Sequence, residues 1–232
     1  MKAVILAGGL GTRLKPFTQV IPKPLLPIGE SSVLETQILN LQKSGFKEVI
    51  IATNYLSDYI KAFLDGKNYY NMNISISEES KPLGTCGPIS IIKDVLRDPF
   101  LLINGDILTT LDYSKLFEYS KIIDSDIVVG VKDVTAPFEF GQIISNDNYI
   151  IDIHEKPDLK IEILSGIYLL KPHIIDLVPE NTYYGIDTLI KDMVSRKMKV
   201  AKYKIKDYWL DIGRIEDYST AQDAYNEYFS NE

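Results

Sequence analysis

A glycine-rich stretch near the amino terminus has the composition of a phosphate-binding loop. Residues 6–14 read LAGGLGTRL, so Gly8, Gly9 and Gly11 fall within four positions and Arg13 follows at once. Glycines let a backbone approach a ligand closely and turn its N–H groups toward phosphate oxygens, and an arginine can bind such oxygens in a bidentate manner. We therefore expect the loop to bind phosphate, with a tight turn that binds nothing as the alternative.

Two widespread nucleotide-binding loops do not fit this stretch. The P-loop string G-x-x-x-x-G-K-[ST] does not occur in the chain. The dinucleotide fingerprint G-x-G-x-x-G would begin at Gly9 and Gly11, but Leu14 stands at its third glycine and prolines follow where a helix is required. These mismatches exclude a P-loop nucleoside triphosphatase and disfavour a dinucleotide-binding protein.

A lysine between prolines follows the loop. Residues 22–27 read PKPLLP, and the flanking prolines are expected to hold Lys23 in extended backbone. An ammonium held in this way can be aimed back at the glycine loop. The alternative is an ordinary surface lysine in contact with water.

Two acids follow apolar residues far apart in the chain. Asp106 comes just after the apolar run 100–103, and Asp211 follows Trp209 and Leu210. Ligands bind at the carboxyl ends of strands in open α/β sheets, and Mg²⁺ takes oxygens from one or two carboxylates together with phosphates. The pair therefore predicts a magnesium site, although each Asp taken alone could be a turn residue or a helix cap.

The elements that position these residues alternate in the first half of the chain. Short apolar runs predict strands, apolar residues at helical spacing predict helices, and their alternation is typical of a parallel sheet. The predicted strands are residues 2–6, 48–52, 74–77 and 100–103, and the predicted helices are 32–41, 55–64 and 89–96.

The second half is mixed. Strands are predicted at 126–131, 141–145, 149–154 and 161–170, separated by turns, and helices at 186–198 and 215–229. Turns between strands indicate antiparallel pairing. The chain is thus predicted to be an α/β protein, a Rossmann-like three-layer sandwich with a mainly parallel central sheet and an antiparallel excursion.

Composition excludes several classes of function. The 232 residues carry a net charge of −7, which disfavours binding to nucleic acid, where lysine and arginine supply most of the affinity. The single cysteine, Cys86, excludes an intrachain disulfide and fits a reducing compartment. No apolar run reaches the 18 residues of a membrane span. We therefore expect a cytoplasmic protein with neither a nucleic-acid nor a membrane partner.

Seven strings together resemble the sugar-1-phosphate nucleotidyltransferases, in the order in which they occur in that family. They are LAGGLGTRL (6–14), PKPLLP (22–27), PLGTCG (82–87), NGD (104–106), EKP (155–157), SGIY (165–168) and WLDIG (209–213). The resemblance implies the transfer of a nucleotidyl group from a nucleoside triphosphate to a sugar 1-phosphate, with release of pyrophosphate. It also implies one domain, with a nucleotide-binding half (about 1–110), a sugar-phosphate-binding half (about 111–213, including the antiparallel excursion) and a C-terminal helix (214–232).

The resemblance also implies roles for individual residues. Arg13 and Lys23 would be the catalytic residues that hold the triphosphate and the departing pyrophosphate, and Asp106 and Asp211 would bind the Mg²⁺ cofactor. Further nucleotide-binding residues would be Leu6, Ala7, Gly8, Gly9, Gly11, Thr12, Gly84, Thr85 and Gly87. The sugar-phosphate-binding residues would be Asn104, Gly141, Glu155, Lys156 and Gly166, with Lys156 on the phosphate and Glu155 on sugar hydroxyls.

The identity of the base and of the sugar is less constrained. Residues 84–88, GTCGP, resemble the GTAGP of mannose-1-phosphate guanylyltransferases, and Gly87 replaces a glutamine that thymidylyltransferases carry. This favours GTP with a mannose- or heptose-type sugar 1-phosphate, for nucleotide-sugar and polysaccharide biosynthesis. Leu164 stands where the family often has asparagine, and residues 138–140 (FEF) are more apolar than a typical approach to a sugar, so the acceptor stays open.

Other functions also stay open. A thymidylyl- or cytidylyltransferase could act on glucose 1-phosphate, an amino sugar phosphate or another phosphate acceptor. An inactive regulatory subunit that binds a nucleotide-sugar is a further alternative, as is assembly into a homo-oligomer.

Overall fold

Four neighbouring strands of the protein are parallel to one another, and they lie beside strands of mixed direction. The structure is a computed structural model that describes residues 1–67, 69 and 72–230. In chain order the strands are β1 (Lys2–Leu6), β2 (Pro27–Ile28), β3 (Ser31–Ser32), β4 (Glu48–Thr53), β5 (Asn73–Glu78), β6 (Phe100–Asn104), β7 (Ile107–Thr109), β8 (Ile127–Pro137), β9 (Gln142–Asn146), β10 (Tyr149–His154), β11 (Asp158–Leu170), β12 (Val200–Lys204) and β13 (Trp209–Asp211). The α-helices are α1 (Val33–Lys43), α2 (Ser57–Leu64), α3 (Ser114–Ile123), α4 (Ile186–Ser195) and α5 (Ile215–Tyr228).

The central sheet has seven strands in the order β12-β8-β11-β6-β1-β4-β5. β11 runs antiparallel to both of its neighbours, whereas every other neighbouring pair is parallel. β9 and β10 form a separate antiparallel hairpin that leaves the sheet between β8 and β11. The mainly parallel sheet with an antiparallel excursion is therefore confirmed.

Alternate residues of β1 show why the molecule has three layers. Ala3 and Ile5 pack into an apolar cluster with residues of α1, α2 and α3, whereas Val4 packs on the opposite face with residues of α4. Successive side chains of a strand point to opposite faces, so the apolar run in β1 serves two cores. The three-layer sandwich is confirmed.

A third apolar cluster lies outside the sheet and joins the two ends of the chain. Leu14, just after the glycine loop, and Ile212, just after β13, are both fully buried there against Ala221 of α5. β13 itself pairs antiparallel with β7, so Asp211 lies opposite Ile107, the residue next to Asp106. This cluster brings the segments of Arg13, Asp106 and Asp211 together.

Some elements differ from the sequence-based expectation. The predicted helix 89–96 is wrong, because two short 3₁₀ turns, Gly87–Ser90 and Lys93–Val95, occupy this stretch. Pro88 lies in the first turn, and the Ser90 hydroxyl donates to the Gly87 carbonyl, which competes with a regular helix. α3, β7 and β12 were not predicted. The C-terminal helix spans less than the predicted 214–232, since α5 ends at Tyr228 and residues 231–232 lie outside the described residues.

No helix in the described ranges has the length and apolar character needed to cross a bilayer.

The ends of β1 and β6 are tied together at Gly105. Its backbone N–H donates to the Leu6 carbonyl at 2.9 Å, and a Cβ at Gly105 would lie 2.5 Å from that oxygen and 3.1 Å from Pro24 Cγ. Backbone atoms cannot move aside as a flexible side chain can. This junction therefore accepts only glycine without a shift of a strand end.

We predict that Gly105→Ala destabilises the fold by about 1–3 kcal/mol, the ordinary cost of overpacking. For a chain of this size that lowers Tm by about 2–4 °C per kcal/mol, measurable by calorimetry. Gly9→Ala is the matched control, because nothing lies within 4 Å of a Cβ at Gly9, and its effect should stay within about 0.5 kcal/mol. Equal stability of the two variants would contradict the account of this junction.

Candidate active site

A cavity opens at the carboxyl ends of four adjacent parallel strands. β6 supplies Asn104 and, in the turn after it, Asp106; β1 leads into the glycine loop, and Glu79 follows β5. The cavity has a volume of about 260 Å³, and the chain changes direction across the sheet between β1 and β6, as it does at ligand crevices of α/β folds. Its lining residues are Leu6, Gly8, Gly9, Leu10, Lys23, Pro24, Glu79, Pro82, Leu83, Gly84, Thr85, Asn104, Gly105, Asp106 and Tyr183.

The glycine loop runs along this cavity from one end to the other. At Gly8 a Cβ would lie 2.9 Å from Glu79 Oε1, and at Gly11 a Cβ would lie 2.7 Å from Thr18 Cγ2 and 3.3 Å from Lys23 Cβ. Gly11 also has a φ of 57°, and its carbonyl accepts a hydrogen bond from the Thr18 hydroxyl at 2.7 Å. The loop therefore runs from Glu79 to Lys23, and close approach requires glycine at positions 8 and 11.

Lys23 occupies the second of these ends. Its Nζ donates to Asp106 Oδ2 in a short ion pair, and both side chains are largely buried. Lys23 does not lie in the extended backbone predicted for it: Pro22 is extended, and Lys23 begins a 3₁₀ turn closed by the Leu26 N–H on its carbonyl. That turn points the Lys23 ammonium at Asp106, the carboxylate that the sequence analysis predicted just after a strand.

Asp106 and Asp211 form a pair of carboxylates with spare acceptor capacity. Oδ1 of each is buried and has no hydrogen-bond partner among the described residues. Burial and the neighbouring Asp106 charge raise the pKa of Asp211 to about 6, although Lys23 and Arg13 act in the opposite direction. The described residues contain no cluster of three or more His, Cys, Asp or Glu side chains suited to a metal. Two carboxylates with free oxygens suit a cation that takes its remaining ligands from phosphates and water.

Arg13 does not line the cavity. Its side chain is exposed, and its guanidinium lies beside Gly213, where a Cβ would be 3.4 Å from Nη1. Its charge is close enough to lower the pKa of Asp211. Ala7 and Thr12 belong to the loop but do not line the cavity.

The segment 83–87 is bound to the segment before α4. The N–H groups of Cys86 and Gly87 donate to the Tyr184 carbonyl, the Tyr184 N–H donates to the Leu83 carbonyl, and the Thr85 hydroxyl accepts from the first N–H of α4. A Cβ at Gly87 would lie 2.6 Å from the Thr182 carbonyl. The absence of a side chain at Gly87 thus makes room for the Thr182 backbone. The interpretation that it makes room for a purine base is wrong. Gly84 and Thr85 do line the cavity.

The predicted sugar-phosphate residues fall into two groups. Asn104 lines the cavity with a buried Oδ1 that has no partner among the described residues, and Gly166 packs on it, since a Cβ there would lie 2.8 Å from Asn104 Nδ2. Gly141, Glu155 and Lys156 lie at the exposed base of the β9–β10 hairpin, where a Cβ at Gly141 would lie 3.1 Å from Glu155 Oε2. This second group does not line the cavity.

Two cavity residues, Glu79 and Tyr183, lie outside the seven strings and were missed by the sequence analysis. Glu79 is an acid two residues after the predicted strand 74–77, a signal like the one used for Asp106, and it could have been found in this way. Tyr183 lies in a loop with no recognisable pattern, so no signal in the sequence pointed to it.

Residues 2–228 match the family described as Nucleotidyl transferase. The chain belongs to this family. The match covers nearly the whole sequence, and the resemblance drawn from the seven strings is confirmed.

Curated relatives agree with this assignment. The chain is 32% identical over 234 residues to a probable mannose-1-phosphate guanylyltransferase of Oryza sativa subsp. japonica, and 30% identical over 237 residues to the mannose-1-phosphate guanyltransferase of Schizosaccharomyces pombe. Each alignment covers 97% of this chain. The chain spans 64% of the length of either relative.

Solved structures share the fold. HddC from Yersinia pseudotuberculosis complexed with GMP-PN superposes with a TM-score of 0.77 at 31% identity, covering 97% of this chain and 99% of that one. A UDP-glucose pyrophosphorylase complexed with UDP-glucose superposes with a TM-score of 0.76 over 97% of this chain and 98% of that one, at 21% identity, and shows the fold alone.

We predict that Asp211→Asn makes the metal-free protein more stable, because it removes one of two adjacent buried like charges. The expected gain in the free energy of unfolding is about 1 kcal/mol near pH 8, a rise of about 2–4 °C in Tm. Folding raises the pKa of Asp211, so the wild type loses stability as the pH rises through about 6. The gain should therefore vanish below about pH 4, where Asp211 is protonated in both states.

Thermal unfolding in chelator at several pH values measures this effect. Asp58→Asn is the control, since the Asp58 side chain is 92% exposed and should leave the stability within about 0.5 kcal/mol. An Asp211→Asn protein that is less stable than the wild type near pH 8 would show that the pair does not repel.

Proposed function

We propose that this protein transfers a nucleotidyl group from a nucleoside triphosphate to a sugar 1-phosphate and releases pyrophosphate, with GTP as donor and a mannose- or heptose-type sugar phosphate as acceptor. The observation that carries the proposal is the convergence of a glycine loop, Lys23 and Asp106 at one crevice, with Asp211 beside Asp106 and an unpartnered oxygen on each carboxylate. These groups are what a triphosphate requires. Membership of the nucleotidyl transferase family and the similarity to guanylyltransferases support it.

The reaction needs no nucleophile from the protein. An oxygen of the sugar phosphate attacks the α-phosphorus of the nucleotide, the bond from that phosphorus to the oxygen bridging it to the β-phosphate breaks, and pyrophosphate leaves with the electron pair. The attacking phosphate is largely ionised at neutral pH, since its second pKa is about 6. The barrier is then the repulsion between two polyanions and the charge that builds up on the leaving group.

The residues of the crevice act on that charge. Lys23, which lines the cavity, and Arg13, which lies beside Gly213, would hold the triphosphate and the departing pyrophosphate. Asp106 and Asp211 would hold Mg²⁺, and their free buried oxygens fit a hard cation. Bound there, the cation would supply positive charge close to the phosphate oxygens.

The acceptor would enter from the exposed hairpin side. Lys156, Glu155 and Gly141 lie there outside the cavity lining, and Asn104 offers its free Oδ1 from inside. The surface beside them is apolar, since Phe138, Phe140 and Leu164 are 38%, 71% and 45% exposed. An apolar surface offers few hydrogen bonds to sugar hydroxyls, so it does not identify the sugar of the acceptor. A cytoplasmic location and the oligomeric state stay predictions.

Pyrophosphate release across a matrix of donors and acceptors tests this function. GTP, dTTP, UTP, CTP and ATP are each combined with mannose, glucose, heptose and amino sugar 1-phosphates, and we expect turnover with GTP in the presence of Mg²⁺ and none in excess EDTA. Asp106→Asn, which keeps an acceptor for Lys23, should lower kcat by at least about 100-fold. The Asp58→Asn variant serves as the control and should keep full activity.

Two outcomes would count against the proposal. No pyrophosphate with any pair, from a folded protein, would contradict the reaction class and favour a regulatory subunit. A clear preference for dTTP or CTP would overturn the choice of GTP and leave the reaction class in place.

A further inference from the structure

A polar side chain interrupts the apolar stripe by which α1 packs against the sheet. Leu34, Ile38 and Leu41 of α1 are fully buried at helical spacing, and Gln37 lies among them with only 2% of the residue exposed. Such a position, one turn from both leucines, is ordinarily taken by an apolar side chain. A buried carboxamide costs free energy unless its polar atoms are hydrogen-bonded. The reason for a polar residue here therefore lies in the hydrogen bonds it makes.

The carboxamide of Gln37 donates to both ends of the turn that carries Asp106. Its Nε2 donates to the Asn104 carbonyl at 2.9 Å and to the Ile107 carbonyl at 2.7 Å. These carbonyls belong to the last residue of β6 and the first residue of β7, so one side chain joins the two ends of the turn 104–107. Oε1 of Gln37 is buried and has no hydrogen-bond partner among the described residues. The two donated hydrogen bonds, and not the acceptor, are thus what this side chain contributes.

The Ile107 carbonyl needs this donor because β13 does not supply one. Among the described strands β7 pairs with β13 alone, and the Ile212 N–H donates to the Asp106 carbonyl at 3.0 Å. Hydrogen-bonded and non-hydrogen-bonded positions alternate along an antiparallel pair, so the next carbonyl, that of Ile107, points away from β13. Gln37 takes the place of a neighbouring strand on that side.

Asn40 binds the other end of β7 in the same way. It lies one turn further along α1, and its Nδ2 donates to the Thr109 carbonyl at 3.0 Å and to the Leu111 carbonyl at 3.1 Å. Two carboxamides of one helix therefore bind the same edge of β7. Gln37 holds the end next to Asp106, and Asn40 holds the end that leads away from it.

We propose that Gln37 is a positioning residue for the reaction, which holds the turn 104–107 so that Asp106 stays beside Asp211. The inference rests on the proposed function, in which these two carboxylates hold the cation. Two adjacent carboxylates repel each other, so a turn that is free to move would let them separate. Gln37 does not line the cavity, and it therefore acts through the backbone of the turn and not on a ligand.

Two variants separate this role from a general contribution to stability. Gln37→Met and Asn40→Leu each keep the approximate size of the side chain and remove two donors from carbonyls on the same edge of β7. Each leaves two carbonyls without their partner, so both variants should lower Tm to a similar extent. A role in stability alone predicts that the two proteins behave alike in every other measurement.

Amide hydrogen exchange in the metal-free protein measures the turn itself. The N–H groups of Gly105 and Ile212, which donate to carbonyls of Leu6 and Asp106, report its opening. They should exchange at least about 10-fold faster in Gln37→Met than in Asn40→Leu, which has lost the same number of hydrogen bonds.

Metal binding and kinetics measure the consequence for the site. The affinity for Mn²⁺ alone, followed by the electron paramagnetic resonance of the free ion, should fall by about 10–100-fold in Gln37→Met, as it does when a partner that orients a metal ligand is removed. With GTP and mannose 1-phosphate, kcat should fall by a similar factor of about 10–100, while KM for the sugar phosphate should not change. Asn40→Leu should keep the wild-type Mn²⁺ affinity and kcat.

Equal exchange of the Gly105 and Ile212 amides in the two variants, or an equal loss of Mn²⁺ affinity in both, would overturn the assignment. If the wild type neither binds Mn²⁺ nor turns over any nucleotide, the proposed function fails, and the exchange rates still decide whether Gln37 holds the turn. If Gln37→Met does not fold, Gln37→Glu is compared by the same exchange rates, since it keeps the size of the side chain and at most one donor.

Discussion

The pairing of two half-buried carboxylates, Asp106 and Asp211, is the constraint around which this site is built. Asp106 and Asp211 come from distant parts of the chain, and each keeps an oxygen without a partner, so the fold must hold them together against their charge. Three features do so. The β7–β13 ribbon sets their register, the ion pair of Lys23 offsets one charge, and the apolar cluster under α5 anchors the segments that carry Arg13 and Asp211. Apolar packing offsets the stability lost at this pair, and under the proposed function the free carboxylate oxygens would hold a cation beside the phosphates.

The parallel sheet then separates the chemistry in space. Because β6, β1, β4 and β5 end at one edge in that order, Lys23 and Asp106 lie at one end of the cavity and Glu79 at the other. Gly8 lies against Glu79 and Gly11 lies beside Lys23, and a Cβ at either position would collide with a neighbouring side chain. The order of the strands thus determines which side chains can act together at each end.

Sequence reasoning found the parts whose signals are local. The apolar run of β1, the glycine loop, Lys23 and the two acids were all predicted, and the central sheet follows from the alternation of strands and helices. What it missed depends on contacts between distant segments. Tyr183 reaches the cavity only because the Tyr184 backbone binds segment 83–87, and Gly87 is glycine because the Thr182 carbonyl lies against it. The helix predicted at 89–96 failed because Pro88 and Ser90 favour tight turns over a regular helix, against the apolar periodicity.

The orientation of the nucleotide in the cavity is the central claim, and a crystal structure with a non-hydrolysable GTP analogue and Mg²⁺ measures it most directly. The account predicts the phosphates at Lys23, Asp106 and Asp211, with the base toward the Glu79 end of the cavity. A base at the Lys23 end, phosphates beside Glu79, or a nucleotide bound outside the cavity would contradict it.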